Sequence, residues 1–526
     1  LSDVAQARSL GDVVRLQAKA RPDAIVFEFE GRLTTFDAFD RHTNQVANGL
    51  IALGAMPGDR IAYLGKNSDV YFEIVYGAAK AGVVMAPINW RLAPPEIAYI
   101  VRDAGAKVLF VGPEFIDQAR GLLPQFETPP VVIAAEGGAA DWQDFERWRD
   151  SQPATDPQTP VDWEDVALQL YTSGTTGHPK GAMLSHRALL GPRLVPGATD
   201  IQWNRWTSED VSLVAMPVFH IGGTGWGSLG VYNGARGVIA REFDPNRVLD
   251  FIENHRITKM FMVPAAMQIV VRSPRAREVD YSCLKYILYG ASPIPLDLLK
   301  ECMEVFGCGF VQMYGMTETC GTIVALPPED HDPAGNPRMR SAGKALPGVE
   351  IVILDEAGNR LPAGQVGEIA TRSLANMTGY WNLPDATART VDAEGWLRTG
   401  DAGYLDADGY VFIHDRVKDM IITGGENVYP AEVENAIFGH PGVADVAVIG
   451  IPDERWGEAV KAVVVRKAGA DPTPAEIIAW ARERIAAYKA PKSIDYIDAL
   501  PRNASGKILR RELREGYWKG HDRRVS

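Results

Sequence analysis

The chain has 526 residues, 46% hydrophobic and 23% charged, which excludes a collagen-like or mostly disordered protein and, by length, predicts more than one domain. Asp and Glu (67) outnumber Lys and Arg (54), and the net charge of -13 argues against a nucleic-acid partner. Cys283, Cys302, Cys308 and Cys320 form no CxxC pair and are too few for a disulfide framework, so reduced thiols in a cytoplasmic setting are expected.

Along the first four hundred residues β-branched runs alternate with helix-like segments: a strand over 60–64, a helix over 70–81 and a strand over 83–87 predict layered α/β structure. Residues 128–162, rich in Pro, Ala, Gln and Asp, read as a surface connection before a strand over 166–171. The most apolar long stretch, 260–271, contains Pro264 and Gln268. It falls short of the roughly 20 residues a membrane span needs, so no transmembrane segment is expected. The N-terminus lacks the apolar core of a secretory signal. Short alternating strands over 349–354 and 368–371, amid many Gly and Pro, predict a β-rich subdomain over 341–415. Beyond Arg416, a helix over 430–438, strands over 443–451 and 459–465 and a helix over 474–485 predict a small α/β module.

The chemistry-bearing residues cluster. In YTSGTTGHPKG, 171–181, the hydroxyls of Thr172, Ser173, Thr175 and Thr176, the flexible Gly174 and Gly177, and the cation Lys180 have the composition of a phosphate grip. The loop joins two predicted strands, and Lys180 precedes Gly181, so it is no Walker A loop. In YGMTE, 314–318, Tyr314 is suited to stack on a purine and Glu318 to hold Mg²⁺. GASPIP, 290–295, fits a base lying on Gly290, Ala291 and Ser292, and fits equally a strand-to-helix connection capped by Ser292 with Pro293 at the first helical position. The GxGxxG match at 225–230 starts nine residues after the strand over 211–216, which argues against dinucleotide binding. No GxSxG nucleophile elbow occurs.

Together with RTGD (398–401), DRVKD (415–419), GGENVYP (424–430) and SGKILRREL (505–513), these segments resemble, over nearly the whole chain, the adenylate-forming superfamily of acyl-CoA synthetases, luciferases and peptide-synthetase adenylation domains. The resemblance implies an α/β fold. A large N-terminal domain, 1–417, of layered α/β subdomains plus a β-rich subdomain would bind acid and ATP, and a small mobile C-terminal α/β domain, 418–526, would hinge at Lys418. It implies that Tyr314, Gly315 and Met316 contact the nucleotide, that Thr317 touches phosphate, that Glu318 serves the metal, and that Asp401 and Arg416 hold ribose and phosphate oxygens. Lys507 would stabilise the charge that grows as pyrophosphate leaves. By the same resemblance Gly424, Gly425, Glu426, Trp456 and Tyr488 line the path of the CoA arm, and His220, Gly222, Gly223, Trp226, Val263, Met313 and Gly321 lie in the acyl pocket. His220 stands where amino-acid-activating relatives commonly carry Asp, and is read either as a gate or as a core histidine.

No carrier-protein domain follows, and the pocket segments contain no Lys or Arg to pair a second carboxylate. The resemblance therefore implies an AMP-forming acid:CoA ligase using ATP, Mg²⁺ and coenzyme A, with no tightly bound organic cofactor. A medium- to long-chain fatty acid is the favoured substrate, with an aromatic or phenylpropanoid acid, or transfer to a carrier protein, as alternatives. The sequence reveals no oligomeric state and is compatible with a homodimer.

Overall fold

The computed structural model describes residues 4–172, 179–416, 419–423, 426–453, 455–503 and 506–519. Within them the strands form four sheets. An eight-stranded sheet has the mainly parallel strands Val84–Pro87, Arg60–Leu64 and Val108–Val111 at its centre and ends, on one side, in the antiparallel strands Val166–Thr172, Lys180–Ser185 and Gly379–Tyr380. A nine-stranded sheet runs through Val211–Val214, Lys259–Met262, Tyr286–Gly290 and Gly309–Met316 in parallel, then turns back through Gly321–Leu326. A four-stranded antiparallel sheet spans 350–416. The fourth sheet, built from residues after 420, centres on Gly457–Arg466 and Val443–Asp453. This is α/β architecture with a large N-terminal and a smaller C-terminal domain.

The two large sheets are held apart by helices buried on every side. Asp69–Lys80 starts where the Ser68 hydroxyl accepts the Tyr71 N–H, and each of its residues is buried. Its last residue, Lys80, is fully buried and donates to Asp40 Oδ1 at 2.6 Å and Asn44 Oδ1 at 2.7 Å, which keeps the buried cation paired. Helix Ile221–Asn233 lies against it so closely that a Cβ on Gly227 would fall 2.3 Å from the Phe72 ring. The GxGxxG segment is therefore a packing face inside a helix, as its distance from the preceding strand suggested.

Two expectations are corrected. Residues 128–162 are not a plain connection. They contain the strand Val131–Ala134 and the helix Phe145–Asp150, whose Phe145 and Trp148 are buried beside Phe110. The polar composition there masked two aromatic anchors on a helix too short to show a periodic pattern. Ser292 is not a helix cap either: Ala291 takes a left-handed φ of 69°, and the helix Leu296–Phe306 begins after Pro295 with no side-chain cap.

His186 and His331 are held neutral. Burial pushes each down to about 4. His186 Nδ1 accepts the Leu10 N–H at 3.1 Å. His331 Nδ1 lies 2.8 Å from the Pro327 carbonyl and can only donate there, so Nε2 accepts the Tyr289 hydroxyl at 2.9 Å. Between the unfolded value of 6.5 and about 4 the unfolded chain binds more protons than the native one, so stability is intact above pH 6.5 and falls as pH drops through that window. Each histidine contributes a slope of up to about 1.4 kcal/mol per pH unit. Thermal unfolding followed from pH 7 to pH 4 should show this decline, and His186→Asn should flatten it; an unchanged slope would refute the assignment.

Candidate active site

Glu318 stands at the seam between the two large sheets. The strand Gly309–Met316 leads into a tight 3-10 turn, Thr317–Thr319, and Cys320 then takes a left-handed φ of 51° before the chain returns as Gly321–Leu326. The Thr319 hydroxyl accepts the Met316 N–H at 3.0 Å and lies within donating distance of the carbonyls of Met316 (3.0 Å) and Gly321 (2.7 Å), fixing the turn from inside. The Glu318 carbonyl accepts the Met377 N–H at 2.8 Å. Its side chain is buried, and Oε1 accepts the Tyr380 hydroxyl at 2.7 Å. Oε2 accepts no hydrogen bond from the described residues. A buried carboxylate with one oxygen oriented and one available suits a hard divalent cation, which takes one or two carboxylates plus phosphate oxygens.

Tyr380 also joins this carboxylate to Lys180. Gly379–Tyr380 pairs with Lys180–Ser185 through Gly379↔Met183 and Tyr380↔Ala182, and Lys180 Nζ lies 5.0 Å from the centre of the Tyr380 ring. Lys180 faces Thr172 across the hairpin. Ser173, Gly174, Thr175, Thr176 and Gly177 lie outside the described residues. Sequence reasoning missed Tyr380; its signal was the Gly-Tyr-Trp run at 379–381, in which Trp381 donates its N–H to the Gly181 carbonyl at 2.8 Å.

Tyr314 and Asp401, 87 residues apart, meet directly: the tyrosine hydroxyl donates to Asp401 Oδ2 at 2.8 Å. Asp401 is buried, and its own N–H donates to the Thr399 hydroxyl at 3.1 Å. Across the sheet its register partner is Arg416, so the two residues singled out fifteen positions apart are backbone neighbours. The side chain of Arg416 lies outside the described residues. Gly290 and Gly315 mark close backbone approaches, since a Cβ would stand 2.0 Å from the Met313 carbonyl oxygen and 1.8 Å from that of Gly321 respectively.

The pocket segments divide in the same way. A Cβ on Gly223 would strike the Pro217 carbonyl at 2.3 Å, so this glycine serves the turn into its helix. A Cβ on Gly222 would meet the Phe261 ring at 2.9 Å, and one on Gly321 would meet only Ile221, at 3.7 Å. Trp226 is buried behind Phe261, its ring 6.4 Å away, with its N–H donated to the Leu213 carbonyl at 3.0 Å. His220 precedes the first residue of the helix without a side-chain cap bond; burial and the charge of Arg91 push it down to about 4, and its buried Nε2 finds no partner among the described residues. Met313 is half-buried in the strand that carries Tyr314.

Lys507, in the small domain, borders a cavity that Pro264, Ala265 and Ser292 of the large domain also line. Its N–H donates to Asn503 Oδ1 and its carbonyl accepts the Asn503 N–H, both at 2.8 Å, closing a tight hairpin. Gly506, at a φ of 79°, rests on the large domain: a Cβ there would lie 3.2 Å from Ala265 and 3.3 Å from Val263. Trp456 and Tyr488 are each 41% exposed, and Glu426 is exposed. Gly424, Gly425 and Lys418 lie outside the described residues. The described geometry thus sets Gly506, next to Lys507, on Val263 while the described residues expected along a CoA path face solvent.

Residues 14–381 match the family of AMP-binding enzymes, and residues 432–507 match the C-terminal domain of AMP-binding enzymes. A fatty acid:acyl-carrier-protein ligase of Streptomyces coeruleorubidus is 42% identical over 99% of both chains. A feruloyl-CoA synthase of an Amycolatopsis species is 39% identical over 97% of this chain and 99% of its own. Among solved structures, ATP-bound MatB from Rhodopseudomonas palustris superposes with a TM-score of 0.86 at 31% identity, covering 96% of this chain and 99% of that one. The chain is an AMP-forming acid ligase and belongs to the adenylate-forming superfamily, in its acyl-CoA synthetase branch.

Proposed function

We propose that the protein activates an apolar monocarboxylic acid, a medium- to long-chain fatty acid, as its acyl-adenylate and transfers the acyl group to CoA. The observation that carries the adenylation half is the seating of the Lys507 hairpin on Val263 and Ala265. In that half, the acid's carboxylate attacks the α-phosphate of ATP and pyrophosphate leaves. Lys507 supplies the donor for the growing negative charge, Asp401 takes the ribose hydroxyls, and Lys180 with its loop holds the phosphates. A Mg²⁺ ion held by Glu318 would neutralise phosphate charge. In the second half the thiol attacks the acyl carbonyl and AMP leaves.

We assign the large domain to residues 1–417 and the small one to 418–526, with Lys418 as the hinge. Trp456 and Tyr488, exposed in the present arrangement, become thiol-facing when the small domain turns. What supports an apolar monoacid is the absence of Lys and Arg from 218–227, 261–267, 290–292 and 313–321, together with the half-buried Phe261 against Gly222. An aromatic acid is the second reading, favoured by the ring-lined wall of Trp226 and Phe261 and by the likeness to a feruloyl-CoA synthase. The likeness to a ligase that charges a carrier protein keeps that acceptor as the alternative to CoA.

Three experiments test this. Incubation with Mg-ATP, CoA and a panel of fatty and aromatic acids, read by mass spectrometry, should yield AMP and fatty acyl-CoA in equal amounts; acyl-AMP without thioester would move the acceptor to a carrier protein. Lys507→Ala should slow acyl-AMP formation about 100- to 1000-fold while leaving thioester formation from supplied acyl-AMP intact. Equal loss of both steps in folded protein would sink that division of labour. Tyr380→Phe removes a hydrogen bond to a buried carboxylate, which is worth about 1.5–3 kcal/mol. Adenylation at low Mg-ATP should therefore fall at least tenfold, with the KM for the acid unchanged; a change confined to the acid would contradict the role given to Glu318.

A further inference from the structure

We infer that Gln268 is a positioning residue for Lys507, a latch through which the large domain holds the small domain in register for adenylation. This rests on the reading that Lys507 acts at the α-phosphate. Gln268 lies on the helix Pro264–Val271, which follows Val263 and carries Ala265, the two residues on which Gly506 sits. Its side-chain amide donates to the carbonyl of Ala444 in the small domain at 3.1 Å.

From Ala444 the contact continues without a gap to the lysine. The next residue, Asp445, accepts Arg502 Nη2 at 2.7 Å, and Arg502 Nη1 donates to the Gly506 carbonyl at 2.6 Å. Arg502 also forms the isolated bridge with Ile508 at the base of the hairpin. One helix therefore supports the lysine hairpin twice, by apolar contact under Gly506 and by a polar contact routed through Ala444, Asp445 and Arg502. Gln268, Asp445, Arg502 and Lys507 all border a single cavity between the domains. An apolar contact alone leaves a hairpin free to slide; the directional bond of Gln268 selects one register.

The test uses two variants of the full-length protein. Gln268→Met keeps the volume and removes the donor. Gln268→Glu keeps the shape but sets a carboxylate against the Ala444 carbonyl. Loss of one neutral hydrogen bond shifts a docking equilibrium about three- to tenfold. The first-turnover release of pyrophosphate should fall by that factor in Gln268→Met and further in Gln268→Glu. Thioester formation from supplied acyl-AMP and CoA should stay within about twofold, a split that a merely structural role does not produce. In parallel, the amides of Gly506 and Lys507 should exchange with deuterium faster in both variants. Unchanged pyrophosphate release and unchanged exchange, or equal slowing of both half-reactions in protein with wild-type thermal stability, would overturn the latch. If the wild-type protein formed no acyl-AMP, the adenylation reading would fail by itself, and the exchange measurement would still judge the contact between the domains.

Discussion

The contact on which the proposed nucleotide site depends is the hydrogen bond from Tyr380 to Glu318. Glu318 belongs to the nine-stranded sheet and Tyr380 to the last strand of the eight-stranded one, so the bond closes the seam between two independently built sheets. A carboxylate buried there without a partner would carry a desolvation cost of several kcal/mol. The phenol offsets part of it by pinning one oxygen. The same ring faces Lys180, so the orientation of the carboxylate and the reach of that lysine are set by one aromatic side chain. Moving either sheet relative to the other would disturb both at once.

That seam can be rigid because what lies behind it is close-packed. Phe27 stacks on Phe72 with ring centres 4.7 Å apart, and Phe72 meets the glycine face of Ile221–Asn233. This helix has glycine where a larger residue would push it outward, and its N-terminal end carries Gly222 toward Phe261. A substitution at Gly227 therefore acts on the proposed acid pocket from the far side of the helix, through displacement of the backbone that presents Gly222.

The regular elements were legible in the sequence because their signals are local. The strand Arg60–Leu64 and the helix Pro430–Phe438 fall where β-branched runs and the Pro at the first helical position put them. The seams were not. Nothing in the spacing of Tyr314 and Asp401 tells that one donates to the other across 87 residues, and Tyr380 lies in a strand of two residues, too short for any periodicity. The glycines are ambiguous in a particular way. Gly223, Gly290 and Gly315 stand in segments expected to line the substrates, and what a Cβ at each would strike is a neighbouring carbonyl of the chain. A glycine reports that something is close, and the sequence does not say whether the close object is a ligand or the chain itself.

The junction between the domains obeys a different physical demand from the seam between the sheets. At the seam, buried and charge-assisted contacts favour a single arrangement. At the junction, the bond from Gln268 to Ala444 is neutral and only partly buried, and Gly506 contributes no side chain to the surface it rests on. A net worth of about 0.5–1.5 kcal/mol for such a bond is enough to bias a population and small enough to be given up in every turnover. A stronger lock, such as an ion pair to Asp445 from the large domain, would hold Lys507 in place at the expense of the step that needs it gone. Asp445 is instead satisfied within the small domain by Arg502. Asp445 and Arg502 thus shape the hairpin from within the small domain, and the polar contact across the junction is left to one neutral bond, which suits a reaction in two halves on one surface.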